Sequence, residues 1–369
     1  MILIAVLLGL SNCKKSKVDI VYDKKYLKEI SELRKRIGSY MLANSIPGGS
    51  FAIALDGKII YSEGMGLASE ELNVVVTRST KFRIAEVSEL FTSVIYQMMV
   101  QDGMLNPDST IQYYLPDFPR KKYKITLQYL ANHTSGIREQ LKQEEEWKGS
   151  IVTLKQRIDN FKNDPLEYEP EYFQNPSALN YNLLGAVMEK VSEKSFPDLL
   201  KEYLTDTIKL TNTEVDEPFR TIVGRTNFFD INFVAMVMNA PFCDLRSRAS
   251  SEGILSNAED LVKFGNAILY SNAIHEEVKS RLFEPVTLKN NFPSRITNGW
   301  IVNKTREGRQ LYGMAGGVTG GGATLIIFPE EKLVIAATIN LTSEMDELPV
   351  SEMVEPFLSK SRKDAVNTD

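Results

Sequence analysis

Two glutamates, Glu86 and Glu89, stand at the start of an apolar helix predicted to end at Gly103. The apolar residues that follow them have the spacing of one buried helix face: Val87, Leu90, Phe91, Val94, Ile95, Met98 and Met99. Because residues three apart are neighbours on a helix, the two carboxyl groups share one face. Two charges about 4 Å apart repel by roughly 4 kcal/mol at an effective dielectric of 20. If buried together, the pair should therefore hold a proton or bind a cation.

The residue types leave the role of this pair open. It could be a recognition site for an amine or a metal, or an acid/base pair. The simplest interpretation is that both acids stabilise the helix start and pair with a local cation, for which Arg83 is available. The two histidines add no metal-ligand spacing: His133 lies in a turn and is expected to be structural, and His275 is expected to be solvated. We expect neither a metal nor another cofactor.

Composition sets broad limits on function. The chain has 369 residues and a formal net charge of −5, with both signs scattered. The length allows one large domain or two ordinary ones. Nucleic acid is not an expected partner, because no basic face is evident.

The N-terminus has the pattern of a processing signal. Residues 1–10 are apolar, but a bilayer-spanning helix needs roughly 20 residues. The segment fits the apolar part of a secretory signal. Leu10-Ser11-Asn12-Cys13 then resembles a relaxed bacterial lipobox, which predicts lipidation of Cys13. The alternative is a frayed apolar terminus with a chance cysteine.

The cysteine count agrees with a lipid anchor. Cys243 is the only other cysteine, so a lipidated Cys13 would leave no disulfide within the mature chain. Cys243 follows Ala240-Pro241-Phe242 and is expected to be buried packing.

Periodicity and turn signals predict strands at both ends of the chain. A helix is predicted over 24–43, followed by strands over 50–55 and 58–61 joined by the hairpin signal Asp56-Gly57. Helices are predicted over 125–131, 183–191, 196–203 and 257–269, the last capped by Asn257 or Ser256. Strands return over 300–303, 310–313, 323–328 and 333–339. We expect an α/β protein of α+β type, with one antiparallel sheet from both chain ends flanked by helices.

The predicted organisation has five parts. Residues 1–13 form the signal and lipobox and 14–23 a tether. The sheet region comprises 24–104 and 285–358, and an inserted, mostly helical region occupies 105–284. Residues 359–369 are a polar tail that is expected to be disordered.

Several local motifs resemble one family. They are Phe82-Arg83-Ile84-Ala85 with Leu90-Phe91-Thr92, Tyr114-Leu115-Pro116-Asp117-Phe118, His133-Thr134-Ser135-Gly136-Ile137 and Tyr181-Asn182-Leu183-Leu184-Gly185. In this order they resemble the serine β-lactamase and penicillin-binding-protein-like family, over nearly the whole mature chain. The resemblance implies a β-lactamase/transpeptidase-like fold. It also implies three catalytic motifs around one cleft.

None of the three motifs keeps its reactive side chains. The family's Ser-x-x-Lys corresponds to Glu86 and Glu89, and a glutamate cannot replace the ammonium. Its Tyr-x-Asn corresponds to Pro176, Ser177 and Ala178, of which the first and last carry no hydrogen-bonding side chain.

The third motif, Lys-Thr-Gly or His-x-Gly, corresponds to Met314-Ala315-Gly316. Only backbone features remain: Gly316 and Gly317 allow a close approach of the strand edge. The implied oxyanion hole would use the N–H groups of Glu86 and Gly317, next to a glutamate side chain that disfavours an anionic transition state. Ser88 is no obvious substitute, because it is two residues from Glu86 and faces elsewhere.

The residues therefore predict a catalytically inactive, β-lactamase-related binding or scaffold protein that uses the former acyl-transfer cleft. The candidate binding residues are Glu86, Glu89, Ser177, Gly316 and Gly317. Peptidoglycan peptides or a protein partner are implied by resemblance only. The expected location is a bacterial cell envelope, periplasmic or associated with the outer membrane, with lipid at Cys13. The alternative is an active serine hydrolase (an esterase, amidase or β-lactamase-like enzyme) with a displaced nucleophile.

Overall fold

The N-terminal part of the chain supplies half of a sheet and the helix that follows Glu86. The computed structural model describes residues 19–145, 153–343, 353–354 and 356–358; Cys13 and the predicted tail lie outside them. The elements are β1 (Ile20–Tyr22), α1 (Leu27–Ala43), β2 (Gly48–Leu55), β3 (Lys58–Ser69), β4 (Val74–Val75), β5 (Phe82–Arg83) and α2 (Val87–Gln101). The predicted Asp56-Gly57 hairpin is present, and both residues have the positive φ that such a turn requires.

The middle of the chain is mostly helical. Its elements are α3 (Ile111–Tyr114), α4 (Leu127–Ala131), α5 (Lys142–Glu145), α6 (Leu154–Phe161), α7 (Ala178–Ser192), α8 (Phe196–Leu200), β6 (Glu214–Val215), β7 (Phe229–Ile231), β8 (Val237–Asn239), β9 (Ile254–Ser256), α9 (Ala258–Tyr270) and α10 (Glu276–Leu282). The N-cap prediction for α9 is confirmed: Oδ1 of Asn257 accepts the N–H of Asp260 over 2.8 Å.

The C-terminal strands complete the sheet. They are β10 (Ile296–Thr297), β11 (Trp300–Lys304), β12 (Gln310–Val318), β13 (Gly321–Phe328) and β14 (Leu333–Ile339). The strand order is β1-β3-β2-β14-β13-β12-β11-β10, with β4 paired to β3 and every pairing antiparallel. Strands β2 and β14 are neighbours, so the sheet joins the two ends of the chain, as predicted.

Helices cover both faces of this sheet. Along β2, Phe51 and Ile53 pack with α1, whereas Ala52 and Ala54 belong to the larger core that contains α2 and α9. The same alternation holds in β14, because successive side chains of a strand point to opposite faces. The α/β prediction with an antiparallel sheet flanked by helices is confirmed.

Some boundaries differ from the sequence-based expectations. Phe82–Arg83 is a short strand that pairs with β9, so the helix begins only at Val87. Strand β1 lies within the predicted tether and pairs with β3. Helix α9 falls within the predicted helical region but packs against β2 and β14. In each case pairing across the fold decides the outcome, which local periodicity does not report.

Candidate functional site

Glu86 lies at the junction between β5 and α2. The preceding residue, Ala85, has a φ of +48° and is fully buried. A left-handed conformation of this kind costs a non-glycine residue roughly 1 kcal/mol or more and persists only when the surroundings impose it. Here Ala85 packs with Val318, Cys243 and Leu245. The turn fixes Glu86 as the N-cap residue of α2, although its side chain does not cap that helix.

The carboxyl group of Glu86 points at the edge of β12. The N–H of Gly317 donates to Oε2 of Glu86 over 3.0 Å, and the backbone N–H of Glu86 itself also interacts with the carboxyl group. These are the two N–H groups that the family resemblance assigns to an oxyanion hole. Both N–H groups therefore interact with the protein's own side chain.

Gly316 makes this close approach possible. A Cβ at this position would lie 2.3 Å from Oε2 and 2.6 Å from the backbone nitrogen of Glu86. Only glycine fits between the strand edge and the start of α2.

Other acids surround Glu86 and change its ionisation. Burial, together with the neighbouring charges of Glu252 and Glu89, raises the pKa of the Glu86 carboxyl well above its usual range, although two N–H groups oppose the shift. Glu252 is buried and forms an ion pair with Arg248 over 2.7 Å. Glu86 alone of the three glutamates is partly exposed, so it presents the acidic character of the site to solvent.

Glu89 is buried against His133. Oε2 of Glu89 lies 3.1 Å from Nε2 of His133, and Nδ1 of His133 accepts the backbone N–H of Ser177 over 3.2 Å. That backbone donor requires a lone pair on Nδ1, so the proton of a neutral imidazole must lie on Nε2 and is donated to Glu89. Burial raises the pKa of Glu89, and His133 opposes the increase. His133 thus holds the side chain that stands at the family's lysine position.

The proposed pairing of the two glutamates with Arg83 is wrong. Arg83 is buried and forms an ion pair with Asp216 over 2.8 Å. Its other guanidinium N–H groups donate to the carbonyl oxygens of Thr319 and Cys243. Strand β5 directs Arg83 away from α2. The expected pairing considered only the closeness of Arg83 to Glu86 in sequence, which does not report the direction of its side chain.

The second motif position is structural. The hydroxyl of Ser177 caps α7 by accepting the N–H of Leu179 and donates to the carbonyl oxygen of Arg138 over 2.7 Å. Ser177 was predicted as a binding residue, but its side chain is buried and both hydrogen-bonding roles are used within the protein. Pro176 is exposed and Ala178 begins the helix, and neither side chain can donate or accept a hydrogen bond.

The third motif position is apolar. Met314 lies in β12 opposite Leu325 and is buried in the main core. It lies on the same face of the strand as Gly316, because residues two apart share a face. The position that would contact a substrate in the family therefore contributes packing here.

The remaining candidates have structural roles. Ser88 is fully buried, and its hydroxyl accepts the N–H of Ile254 over 3.2 Å. Cys243 is buried beside Arg248, as expected for packing. His275 is exposed at the start of α10. Within residues 19–145 and 153–343, no group of three or more His, Cys, Asp or Glu is arranged to hold a metal ion.

The fold and the three motif positions define a protein built like a serine acyl-transfer enzyme. A family model described as Beta-lactamase matches residues 33–353. The chain therefore belongs to the beta-lactamase family, and the predicted resemblance is confirmed.

Curated relatives are distant in sequence but cover most of the chain. The chain is similar to the serine beta-lactamase-like protein LACTB, mitochondrial, of Homo sapiens, with 25% identity over 380 residues, 77% of this chain and 69% of the relative. It is also similar to protein flp of Staphylococcus aureus, with 22% identity over 315 residues, 81% of this chain and 60% of the relative.

Solved structures share the fold at low sequence identity. A penicillin-binding protein homologue from Pyrococcus abyssi, described as octameric, aligns with a TM-score of 0.79 and 20% identity over 90% of this chain and 77% of its own. D-amino acid amidase from Ochrobactrum anthropi SV3, complexed with D-phenylalanine, aligns with a TM-score of 0.79 and 18% identity over 91% of this chain and 99% of its own. FmtA from Staphylococcus aureus aligns with a TM-score of 0.76 and 21% identity over 93% of this chain and 92% of its own.

Two features of the site were not found from sequence. Glu252 follows a turn 166 positions after Glu86 and carries no local signal of a site. The sequence places His133 in a turn motif but gives no signal of its contact with Glu89. Both residues reach α2 from distant parts of the chain, and only the fold brings them there.

Proposed function

We propose that this β-lactamase-related protein binds a ligand in the former acyl-transfer cleft and does not itself transfer acyl groups. One observation carries the proposal: the Glu86 carboxyl occupies both N–H groups that would have to stabilise the oxyanion of a reacting carbonyl. An oxyanion hole lowers the barrier only if its donors are free to meet the developing negative charge. The same contact disfavours Glu86 as a nucleophile, because the hole would have to release it before a substrate could bind.

The ligand that suits this cleft carries a positive charge. Glu86 is partly exposed and is surrounded by Glu89 and Glu252, so a bound ammonium group would relieve the repulsion that raises its pKa. A peptide with a free amine, such as a peptidoglycan peptide, has this chemistry, and so does a basic segment of a protein partner. The similar amidase structure contains D-phenylalanine, an amino acid that carries an ammonium group as well as a carboxylate.

We also propose that the protein is held by lipid at Cys13 in a bacterial cell envelope. The support is the apolar segment 1–10 followed by Leu10-Ser11-Asn12-Cys13. In the described ranges, no helix is both long and apolar enough to cross a membrane. Expression in a bacterial host should give a mature N-terminal cysteine with the mass of the attached lipid, and Cys13→Ala should abolish that modification. An unmodified native N-terminus in the membrane fraction would contradict the proposal.

The first test of inactivity is intact mass spectrometry. The folded chain is incubated with a labelled penicillin and, separately, with a fluorophosphonate, beside an active member of the family as the positive control. We expect no adduct from either reagent. A stoichiometric adduct would instead establish the alternative, an active serine hydrolase with a displaced nucleophile, and peptide mapping would identify that residue.

A second test restores the first motif alone. The double variant Glu86→Ser/Glu89→Lys should remain unreactive toward both reagents. The new ammonium would face the N–H on Nε2 of His133, whose other nitrogen is committed to Ser177. Because the lysine ammonium and this N–H are both hydrogen-bond donors, neither can accept the proton of the introduced serine. Acylation of this variant would show that the losses at Pro176, Ala178 and Met314 do not prevent catalysis.

A further inference from the structure

The hairpin formed by β7 and β8 presents apolar side chains to solvent. Phe233 is 100% exposed and Met236 is 62% exposed, and Val234 and Met238 are exposed as well. The segment 231–243 contains no charged residue. Single exposed apolar residues are ordinary, whereas a contiguous group usually marks an interaction site.

The turn of this hairpin pairs four of its own backbone N–H groups. Oδ1 of Asn232 accepts the N–H groups of Val234 and Met236, each over 3.0 Å. The N–H of Asn232 donates to the carbonyl oxygen of Met236, and that of Ala235 to the carbonyl oxygen of Asn232. Backbone groups that are already paired can enter an apolar medium without the several kcal/mol that each unpaired group would cost.

A second exposed apolar turn lies beside the first. The turn between β3 and β4 exposes Leu72, at 76%, and β4 itself exposes Val75. The side-chain amide of Asn239 donates to Glu71 over 2.8 Å and links the two hairpins. We call Phe233, Val234, Met236, Met238, Leu72 and Val75 together the apolar tips.

The first described residue contacts a loop that bonds to the segment leading into β7. Asp19, the first described residue, forms an ion pair with Arg78 over 2.8 Å. Shortly after Arg78, the N–H of Lys81 donates to the carbonyl oxygen of Gly224, and Thr226 bonds back to Lys81. The loop that receives residue 19 therefore packs against the segment that leads into β7. In sequence, Lys14, Lys15, Lys17 and the apolar residues 1–10 precede it.

We propose that the apolar tips dock onto a lipid bilayer by inserting into its interfacial region. Two protruding apolar turns, one of which pairs most of its own N–H groups, suit a bilayer better than a folded partner, which would need a matching concave surface. The apolar segment 1–10 and its following lysines, read from the sequence, favour the same occupant, because stable membrane attachment generally takes two signals. The proposal is independent of the ligand assigned to the cleft.

Charge defines the kind of lipid interaction. The residues at the base of the tips are acidic, namely Glu70, Glu71 and Asp230. Attraction to anionic headgroups therefore does not drive docking, and apolar insertion must. Binding to zwitterionic vesicles should vary by no more than about twofold between low and high salt, since screening acts on charges.

The base of this hairpin lies next to the strand edge that borders the site. The base of β7 is bonded to the strand that follows β14: the N–H of Thr342 donates to the carbonyl oxygen of Phe229 over 2.9 Å. Phe228 packs against Gly320 in the turn between β12 and β13, where an added Cβ would lie 2.3 Å from the Cβ of Phe228. That turn begins just after Gly317, the residue that bonds Glu86.

The test uses tryptophan quenching by brominated lipid. Phe233→Trp and, as a matched control, Phe292→Trp are placed in the full chain carrying Cys13→Ala, so that no lipid is attached. Phe292 is also a well exposed phenylalanine, at 68%, in a different region. With phosphatidylcholine vesicles brominated in the acyl chains, we expect strong quenching of the indole introduced at 233 and none above the parent's background for the indole at 292.

Binding should fall when the tips lose their apolar character. Phe233→Asp should lower vesicle binding about tenfold or more, the scale of a buried aromatic side chain, and Phe292→Asp should leave it unchanged. Equal thermal stability of the two variants excludes misfolding as the cause. Equal quenching at both positions, or no vesicle binding by the parent, would overturn the proposal. Self-association that Phe233→Asp abolishes, without quenching by lipid, would instead assign the tips to a second copy of the chain.

Discussion

Glu86 and Glu89 stand at the positions that correspond to the family's serine and lysine, and each carboxyl group is held by partners within the protein. The carboxyl group of Glu86 interacts with the N–H groups of Gly317 and of Glu86 itself, and that of Glu89 with Nε2 of His133. Both pKa values are raised by burial. Each carboxyl group therefore loses its proton less readily than an exposed glutamate does, and a nearby cation would favour its charged form.

Glu86→Gln should stabilise the protein at neutral pH. The folded pKa of Glu86 lies above the unfolded value, so the folded state holds the proton more tightly and stability falls as pH rises from about 4.5 through the folded pKa. An amide removes this loss and still offers an oxygen to Gly317. We expect a gain in the free energy of unfolding on the order of 1 kcal/mol at pH 7.5 and almost none at pH 4.

Denaturant unfolding of parent and variant at both pH values measures this difference. Glu70→Gln, at an exposed position, is the control and should give the same small difference at pH 4 and 7.5. A loss of stability for Glu86→Gln at pH 7.5 would mean that an ionised Glu86 is held favourably by its two N–H donors.

His133→Asn should be strongly destabilising. Asparagine tolerates the positive φ of 55° at this position, so the change isolates the loss of the imidazole. Glu89 would then remain buried without its partner, which costs about 3 kcal/mol or more. Glu89→Gln is the matched control: its amide oxygen can still accept the N–H from Nε2, and the expected cost is about 1 kcal/mol. Similar free energies of unfolding for the two variants would show that the contact contributes little.

At the level of elements, the junction between β5 and α2 and the edge of β12 together form the site. The strained turn at Ala85 sets the position of Glu86, and Gly316 allows β12 to approach it. Helix α7 contributes only indirectly, through the N–H of Ser177 that fixes the His133 tautomer. The three motif elements of the family therefore still meet, but their side chains serve packing, capping and internal pairing.

Gly316→Ala should destabilise the protein by about 3 kcal/mol, because the added methyl group would meet both the side chain and the backbone of Glu86. Gly38→Ala is the matched control. Gly38 lies in α1 with no atom within 4 Å of the new Cβ, and alanine there should stabilise by about 0.5–1 kcal/mol. Thermal unfolding of the two variants measures the contrast. An unchanged melting temperature for Gly316→Ala would show that β12 can withdraw from α2 freely.

At the level of the whole molecule, one sheet connects the two ends of the chain and the helices beneath it. Strands β2 and β14 pair along their full length. Below them, Phe91 of α2 stacks on Phe264 of α9 with ring centroids 4.1 Å apart, and Phe264 also stacks on Trp300 of β11 at 6.1 Å. The helix that carries the site is therefore fastened to the sheet through α9.

Phe264→Ala should lower the free energy of unfolding by about 3–5 kcal/mol, because it leaves a cavity between three elements. Tryptophan fluorescence should change as well, since Phe264 contacts Trp300. Phe292→Ala, at an exposed position, is the control and should stay within about 0.5 kcal/mol of the parent. A cost below 1 kcal/mol for Phe264→Ala would show that the surroundings collapse to fill the space.

Local patterns in the sequence determined the elements and the main motif positions. The buried face of α2, the cap at Asn257 and the turn at Asp56-Gly57 each depend on residues within a few positions of one another. The same holds for the correspondence of Glu86 and Gly317, whose flanking residues match the family. Such signals can be recognised in a sequence because the interacting residues lie close together along the chain.

Only the tertiary structure decided which groups meet at the site. Arg83 pairs with Asp216, Glu89 with His133 and Glu252 with Arg248, and the first two pairs join residues far apart in the chain. Glu86 and Gly317 were expected to share a hole, but their actual contact depends on how closely β12 approaches α2. Charge pairing and close packing are set by distance in space, and one residue's local sequence carries no record of which distant side chain will reach it.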